Sequence, residues 1–244
     1  MRAIDPAGPG GPEVLVLAER PVPKPGPGEV LIEVHAAGVN RPDVLQRLGL
    51  YPMPPGTTTI PGLEAAGVVV AVGEGVAWPM VGDPVTALLI GGGYADYAVA
   101  PAGQCLPVPP GMRFDEAAVL PETYFTVWST LFGLGGAKAG DTVLVHGGTS
   151  GIGVTAIDLC QLMGVAIIVT CGSAAKAAAA LAVGATHALN YAEGDFAAEV
   201  RELTHGAGVQ VVLDMVGGDY VPRNLVCLAE GGRHVSIAFQ RGNR

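Results

Sequence analysis

The chain has 244 residues, half of them hydrophobic and 14% charged, with a formal net charge of −9. It is long enough for more than one core and offers no basic stripe for a nucleic acid. No apolar run is clean enough to span a bilayer, since the nearest, 159–175, is broken by Gln161, Gly164, Thr170, Gly172 and Ser173. The start, MRAIDPAGPG, has no apolar signal core. The four cysteines, Cys105, Cys160, Cys171 and Cys227, stand apart without a CxxC or Cys/His pairing. Neither a disulfide framework nor a zinc knuckle is supported, and a soluble, cytoplasmic protein that does not contact membranes is expected.

Residues 1 to about 115 are rich in proline and glycine and carry short alternating or β-branched runs: EVLVLAE, EVLIEVHAAG, AAGVVVAVG, DPVTALL and YADYAVA. Turn signals such as KPGPGE and VGEGV separate them, which predicts a small, irregular β-barrel or sandwich. The rhythm then changes, and EAAVLPETYFTVWSTLFGL predicts a helix. Strands are expected at 142–146, 166–170, 187–190, 209–214 and 232–237. Helices are expected near 152–163, 174–183, 195–204 and 219–229. Alternating strands and helices with Val/Ile-rich runs imply a parallel sheet covered on both faces. The expected organisation is an α/β chain with a β-rich domain over 1–117 and a doubly wound domain over 118–244.

In DTVLVHGGTSGIGVTAIDLC, a buried strand meets a turn of small residues and then a helix. Such a turn lets a ligand approach the backbone while the helix points free N–H groups at it, which suits a pyrophosphate. The pattern is not a Walker A loop and not a clean G-x-G-x-x-G, because Ser150 stands where a glycine is usual. The other reading is an ordinary tight connection. An NAD site places an acidic residue about 20 residues further on, at the ribose hydroxyls. Here AIIVT runs into CGSAAK with no acid, and Ser173 and Lys176 supply a hydroxyl and a cation. Singly they read as an N-cap and a solvated lysine; together they favour the extra phosphate of NADPH. Tyr191 closes the third strand, either over the adenosine end or as a core residue. DMVGG, 214–218, makes another glycine turn on the same sheet edge and is expected to border the nicotinamide.

The ordered set AAGVNRPDVLQRLGLY, IPGLEAAGVV, GGGYADY, VLVHGGTSGIG, VTCGSAAK and NYAEGDF resembles the zinc-independent quinone oxidoreductases of the medium-chain dehydrogenase/reductase superfamily. With SGIG in the turn, it is more similar to the p53-inducible type than to zeta-crystallin. The resemblance implies a GroES-like catalytic domain followed by a Rossmann domain, with NADPH as hydride donor. It carries Ser150, Gly151, Ile152 and Gly153 onto the pyrophosphate. Gly172, Ser173, Lys176 and Tyr191 fall at the adenosine phosphate end, and Asn40 and Tyr51 at the nicotinamide and substrate pocket. Thr126 is placed against the cofactor. Relatives continue past VSIAFQRG through elements that carry a homodimer contact, so the chain is expected to be incomplete at its C-terminal end.

Zinc-dependent relatives have a cysteine where this chain has Asn40 and a histidine where it has Leu63. No metal is expected, and His35, His146, His187, His205 and His234 read as structural residues. Without a Lewis acid or a poised base, the expected acceptors are already electron-poor: a quinone, or an enone or enoyl double bond. Asn40 and Tyr51 are candidates to orient cofactor or acceptor and to steady a developing oxyanion. Their plainer readings are a turn residue and a loop cap. Glu64 reads as a buried structural acceptor. A third reading of the whole chain is a non-catalytic NADPH-binding sensor or structural protein.

Overall fold

The computed structural model describes residues 1–242, and the chain divides into two compact units, Met1–Glu122 and Thr123–Arg244. In the first, β1 (Arg2–Pro6) and β2 (Leu15–Glu19) form an antiparallel hairpin. A separate antiparallel sheet holds β3 (Glu29–Ala37), β4 (Glu64–Val72), β5 (Pro84–Leu88), β6 (Tyr97–Pro101) and β7 (Cys105–Pro107) in the order β6-β3-β4-β5-β7. Alternation sorts the two faces. Val30, Ile32, Val69, Val85, Ala98 and Ala100 fill one core, while Ala66 faces Ala117 and Ala118 on the other side. Helix α1 (Arg41–Arg47) follows β3 and was not expected. Its N-cap is Asn40, with a proline in the first turn that fits a helix start.

The single helix expected over 116–134 is broken. Helix α2 (Phe114–Ala117) belongs to the first unit, where Thr86 Oγ1 donates to the Ala117 carbonyl at 2.7 Å. The first compact unit runs on to Glu122. Pro121 has no N–H to continue that helix and restricts Leu120, so it opens a new one, α3 (Pro121–Val127). This in turn widens into a π-helical segment, Trp128–Leu134. Gly135 N donates five residues back to Thr130 O at 2.7 Å. The Ser129 hydroxyl takes the Phe125 carbonyl, 2.7 Å away, and so competes with the regular ladder.

The second unit is built on five parallel strands: β8 (Thr142–His146), β9 (Ala166–Cys171), β10 (His187–Asn190), β11 (Val209–Asp214) and β12 (Leu228–Ser236). Their order is β10-β9-β8-β11-β12, the doubly wound order of a dinucleotide-binding sheet. Helices α4 (Gly151–Met163) and α5 (Ala174–Val183) bury Ala156, Ile157, Cys160 and Ala180 against Val143, Val145, Ile167 and Val169. Helices α6 (Phe196–Leu203) and α7 (Tyr220–Cys227) cover the opposite face with Phe196, Val200, Tyr220 and Cys227 against Leu144, Ile168 and Val212. The five strands and four helices match the expected ones to within a few residues. The exception is β12, which starts earlier and is thrown out of register between Val209 and Val211 of its neighbour. No helix among the described residues is long and apolar enough to cross a membrane.

A buried polar network pins the carboxyl ends of these strands. Asp214 and Asn224 are fully buried, as is His146. An ionised carboxylate only accepts, so Asp214 draws the Asn224 Nδ2 donor to 3.0 Å and turns the amide carbonyl toward His146. His146 Nε2 then donates to that carbonyl at 2.8 Å, leaving Nδ1 to accept the Thr170 hydroxyl at 2.9 Å. Burial pushes the His146 imidazole below its ordinary value. Because the unfolded chain takes up that proton first, His146 costs nothing above pH about 6.5 and lowers stability as the pH falls below it. His146→Gln should remove this acid slope. Asn224→Ala, which removes one buried donor from Asp214 and leaves His146 Nε2 without its acceptor, should cost about 2–4 kcal/mol in urea unfolding of the whole chain.

Candidate functional site

The carboxyl edge of the parallel sheet carries the glycine turn. Gly147 sits at φ +75°, a conformation that favours glycine, and it lets the chain leave β8 sharply. A Cβ on Gly148 would lie 2.5 Å from Val169 Cγ2, and one on Gly153 would overlap the Gly147 carbonyl. Helix α4 can therefore begin directly against the turn. Ser150 is its N-cap, accepting from Gly153 N at 3.1 Å and donating to Gly147 O at 2.7 Å. The N–H groups of Gly151 and Ile152 find no acceptor among the described residues. They are open donors at the positive end of a thirteen-residue helix. Thr123 supports this turn from α3: its Cγ2 would touch a Cβ on Gly151 at 3.1 Å, and its hydroxyl accepts from Thr155 at 3.0 Å. Thr126 lies one turn further along α3, where its carbonyl serves the Ser129 and Thr130 hydroxyls. A β-branched residue three positions before Thr126 was the only signal for Thr123.

At the end of β9, four of the expected residues converge. Ser173 caps α5 and accepts from Lys176 N at 3.3 Å, with its own hydroxyl hydrogen still free to donate. Lys176 is exposed and makes no ion pair among the described residues. Its charge reaches Cys171, opposing the rise that burial imposes on that thiol. A Cβ on Gly172 would sit 2.6 Å from the Tyr191 hydroxyl, so the Tyr191 ring stands directly beside this turn. Tyr191 remains 46% exposed and meets Tyr220 edge-on at 6.4 Å. In the DMVGG turn, Asp214 accepts from Val216 N at 2.7 Å and Gly217 N at 3.2 Å. The carbonyls of Met215 and Val216 receive N–H groups from Gln240 and Arg241.

The first unit holds a second group of interest, around Asn40. Glu64 opens β4 and is 2% exposed. Its Oε1 accepts from Asn40 Nδ2 at 2.7 Å and its Oε2 from Glu122 N at 2.9 Å. The buried Asp43 accepts from Asn40 N (2.7 Å), Tyr94 Oη (2.9 Å) and Gly62 N (3.1 Å). The Asp43 N–H in turn donates to the Asn40 main-chain carbonyl at 3.2 Å, so the backbone of Asn40 and Asp43 closes the start of α1 without using the Asn40 amide. Glu64 is thus the buried acceptor expected of it. Tyr51 lies apart from this network on the exposed loop after α1, and its hydroxyl makes no hydrogen bond among the described residues. The same residues include no group of three or more His, Cys, Asp and Glu side chains able to hold a metal ion.

Comparison with known proteins places both units. Residues 26–110 match the alcohol dehydrogenase GroES-like domain, and residues 151–244 match the zinc-binding dehydrogenase family. Rat quinone oxidoreductase is 34% identical over 239 residues, covering 97% of this chain and 73% of the relative. The chain belongs to the quinone oxidoreductase family of medium-chain dehydrogenase/reductases. Rat synaptic vesicle membrane protein VAT-1 homolog is 35% identical over 232 residues, covering 94% of the chain, which spans 57% of that relative's length. Among solved structures, Escherichia coli quinone oxidoreductase complexed with NADPH superposes with a TM-score of 0.87 at 34% identity, covering all of this chain and 74% of its own. CurK enoyl reductase superposes at 0.88 and 34%, covering 97% of this chain and 74% of its own.

In this member of the quinone oxidoreductase family, the first unit gathers three carboxyl groups, those of Asp43, Glu64 and Glu122. Burial pushes the Glu122 carboxyl up to about 7, and the charges of Glu64 and Asp43 add to the rise. Burial also raises Glu64, against the lowering by the Glu122 amide and Asn40. A carboxyl raised in the folded state contributes stability below its ordinary value of 4.5, and the contribution is lost as the pH climbs through 7. Glu122→Gln should therefore leave the melting temperature unchanged at pH 5 and raise it at pH 8.5, as read by thermal unfolding at the two pH values.

Proposed function

We propose that the chain is a metal-independent NADPH:quinone oxidoreductase, acting in the cytoplasm, where its four free cysteines suit a reducing compartment. The observation that carries the reading is the chemistry of the sheet's carboxyl edge. Open N–H donors at Gly151 and Ile152, with Ser150 and Gly153 shaping the turn, fit a pyrophosphate. Gly172, Ser173, Lys176 and Tyr191 fit a ribose that carries a phosphate, since β9 ends with a hydroxyl and an exposed cation rather than a carboxylate. A 2′-phosphate would be repelled by the acid an NAD site carries. The Escherichia coli quinone oxidoreductase structure, a complex with NADPH, supports the same choice.

When bound, the dihydronicotinamide supplies a hydride to an acceptor that is already electron-poor. The chain's residues then bind, orient and shield. We assign Asn40 and Tyr51 to the acceptor and nicotinamide side, Asn40 through a fixed amide and Tyr51 through a hydroxyl without a partner among the described residues, and Thr126 to the cofactor side. A second reading, reduction of an enone or enoyl carbon–carbon double bond, is favoured by the likeness to CurK enoyl reductase and needs a proton donor at the α-carbon, for which Tyr51 is the candidate.

Steady-state assays with a panel of small quinones should show NADPH oxidation, and Lys176→Glu should lower the NADPH/NADH preference about tenfold or more. Turnover with NADH and an alcohol but none with NADPH and quinones would overturn the proposal. Product analysis with an alkenal separates the second reading: a saturated aldehyde, formed faster than any quinone is reduced, would replace the first.

A further inference from the structure

The hydrogen bonds around Asn40 carry an inference that rests on its assignment to the acceptor side. A primary amide has two ends of nearly equal size, and a pocket residue of this kind recognises its ligand only if something decides which end faces outward. Here the decision is made from behind. Glu64 is buried, so its ionised carboxylate needs donors, and it has two: Asn40 Nδ2 and the Glu122 amide. Turning the Asn40 amide over would set Oδ1 against that carboxylate with no hydrogen between them. Gly38 completes the seat, because any side chain there would overlap Glu64 Oε1. The backbone of Asn40 is held independently by Asp43, which is itself fixed by Tyr94 and Gly62. The main chain and the amide nitrogen of Asn40 thus answer to two different carboxylates. With one Nδ2 hydrogen on Glu64, the second Nδ2 hydrogen has no acceptor and Oδ1 no donor among the described residues, since the Asp43 N–H goes to the Asn40 main-chain carbonyl.

We infer that Glu64 is the positioning residue for Asn40: it holds the amide nitrogen inward, so that the second N–H, a donor suited to a carbonyl oxygen, and the Oδ1 turned away from Glu64 are the groups left for the bound acceptor or carboxamide. Glu64 does not itself touch the reacting molecules. The role accounts for a charged side chain at the start of a buried strand, where an apolar residue would pack without a desolvation cost.

The test is a double-mutant cycle on the full chain with NADPH and 1,4-benzoquinone. Glu64→Gln presents an amide that can face Asn40 with either end. It should lower kcat about tenfold, as the loss of one charge-assisted hydrogen bond would, with KM changed less than about twofold. In an Asn40→Ala background the same substitution should change kcat less than about twofold, because its effect passes through Asn40. Equal falls in both backgrounds would mark Glu64 as merely structural and overturn the inference. So would wild-type kcat in Glu64→Gln alongside an impaired Asn40→Ala. Wild-type kinetics in Asn40→Ala would instead remove Asn40 from the pocket, and the inference with it. A readout independent of turnover is the side-chain amide resonance of Asn40 in the free chain. Its two protons should be strongly inequivalent in the wild type and converge in Glu64→Gln; an unmoved pair overturns the inference. If Glu64→Gln does not fold, Gly38→Ala displaces the carboxylate while keeping its charge and should reproduce both effects, and failure to do so also overturns it.

Discussion

A strand covered on both faces has only its ends left for chemistry, and that constraint organises the second unit. All five strands run the same way, so their carboxyl ends share one edge, and every turn that leaves a strand there starts beside the others. The glycine turn after β8, the serine-capped turn after β9, Tyr191 after β10 and the DMVGG turn after β11 are neighbours for this reason alone. Sequence separation between them is large, but the sheet makes it irrelevant.

Beneath that edge and around Asn40, the same small device appears twice. A buried carboxylate can only accept, so any amide beside it must present its NH₂ inward and its carbonyl away. Asp214 does this to Asn224, which in turn sets the protonated nitrogen of His146. Glu64 does it to Asn40. In the first case the amide nitrogen reaches both Asp214 and the His234 ring, and its carbonyl meets His146, so the whole group is used inside the protein. In the second, the carboxylate takes one N–H and leaves the other N–H and the amide oxygen without a partner among the described residues. That is the difference between a structural amide and one free to meet a ligand.

The second unit was largely legible in the sequence because its signals are local. Val143–Val145, Ile167–Val169 and Val211–Leu213 are continuous apolar runs, and each is followed by glycine or a capping residue. Features that depend on distant partners were not legible. His146 meets an asparagine 78 residues away, so nothing near it announces its role. Glu64 sits among leucine and alanine, a hint of burial, but its partner Asn40 lies 24 residues upstream. The break at Pro121 was visible in principle and was overridden by helical periodicity on both sides. The π-helical segment was not, since it arises from two hydroxyls competing for carbonyls. Helix α1 is only seven residues long, too short for periodicity to stand out beside a run of turn-forming residues.

The four cysteines gain a further meaning once the acceptor is taken to be a quinone. Electrophiles of that kind arylate sulfur through the thiolate, and accessible thiolates are their first targets in any protein. Here all four thiols lie inside the fold. Burial pushes Cys105 and Cys227 up to about 11 and Cys160 to about 12, and Cys171 rises as well despite Lys176 nearby. A quinone acceptor would therefore find almost no thiolate to alkylate in the folded chain, and the protection would come from packing.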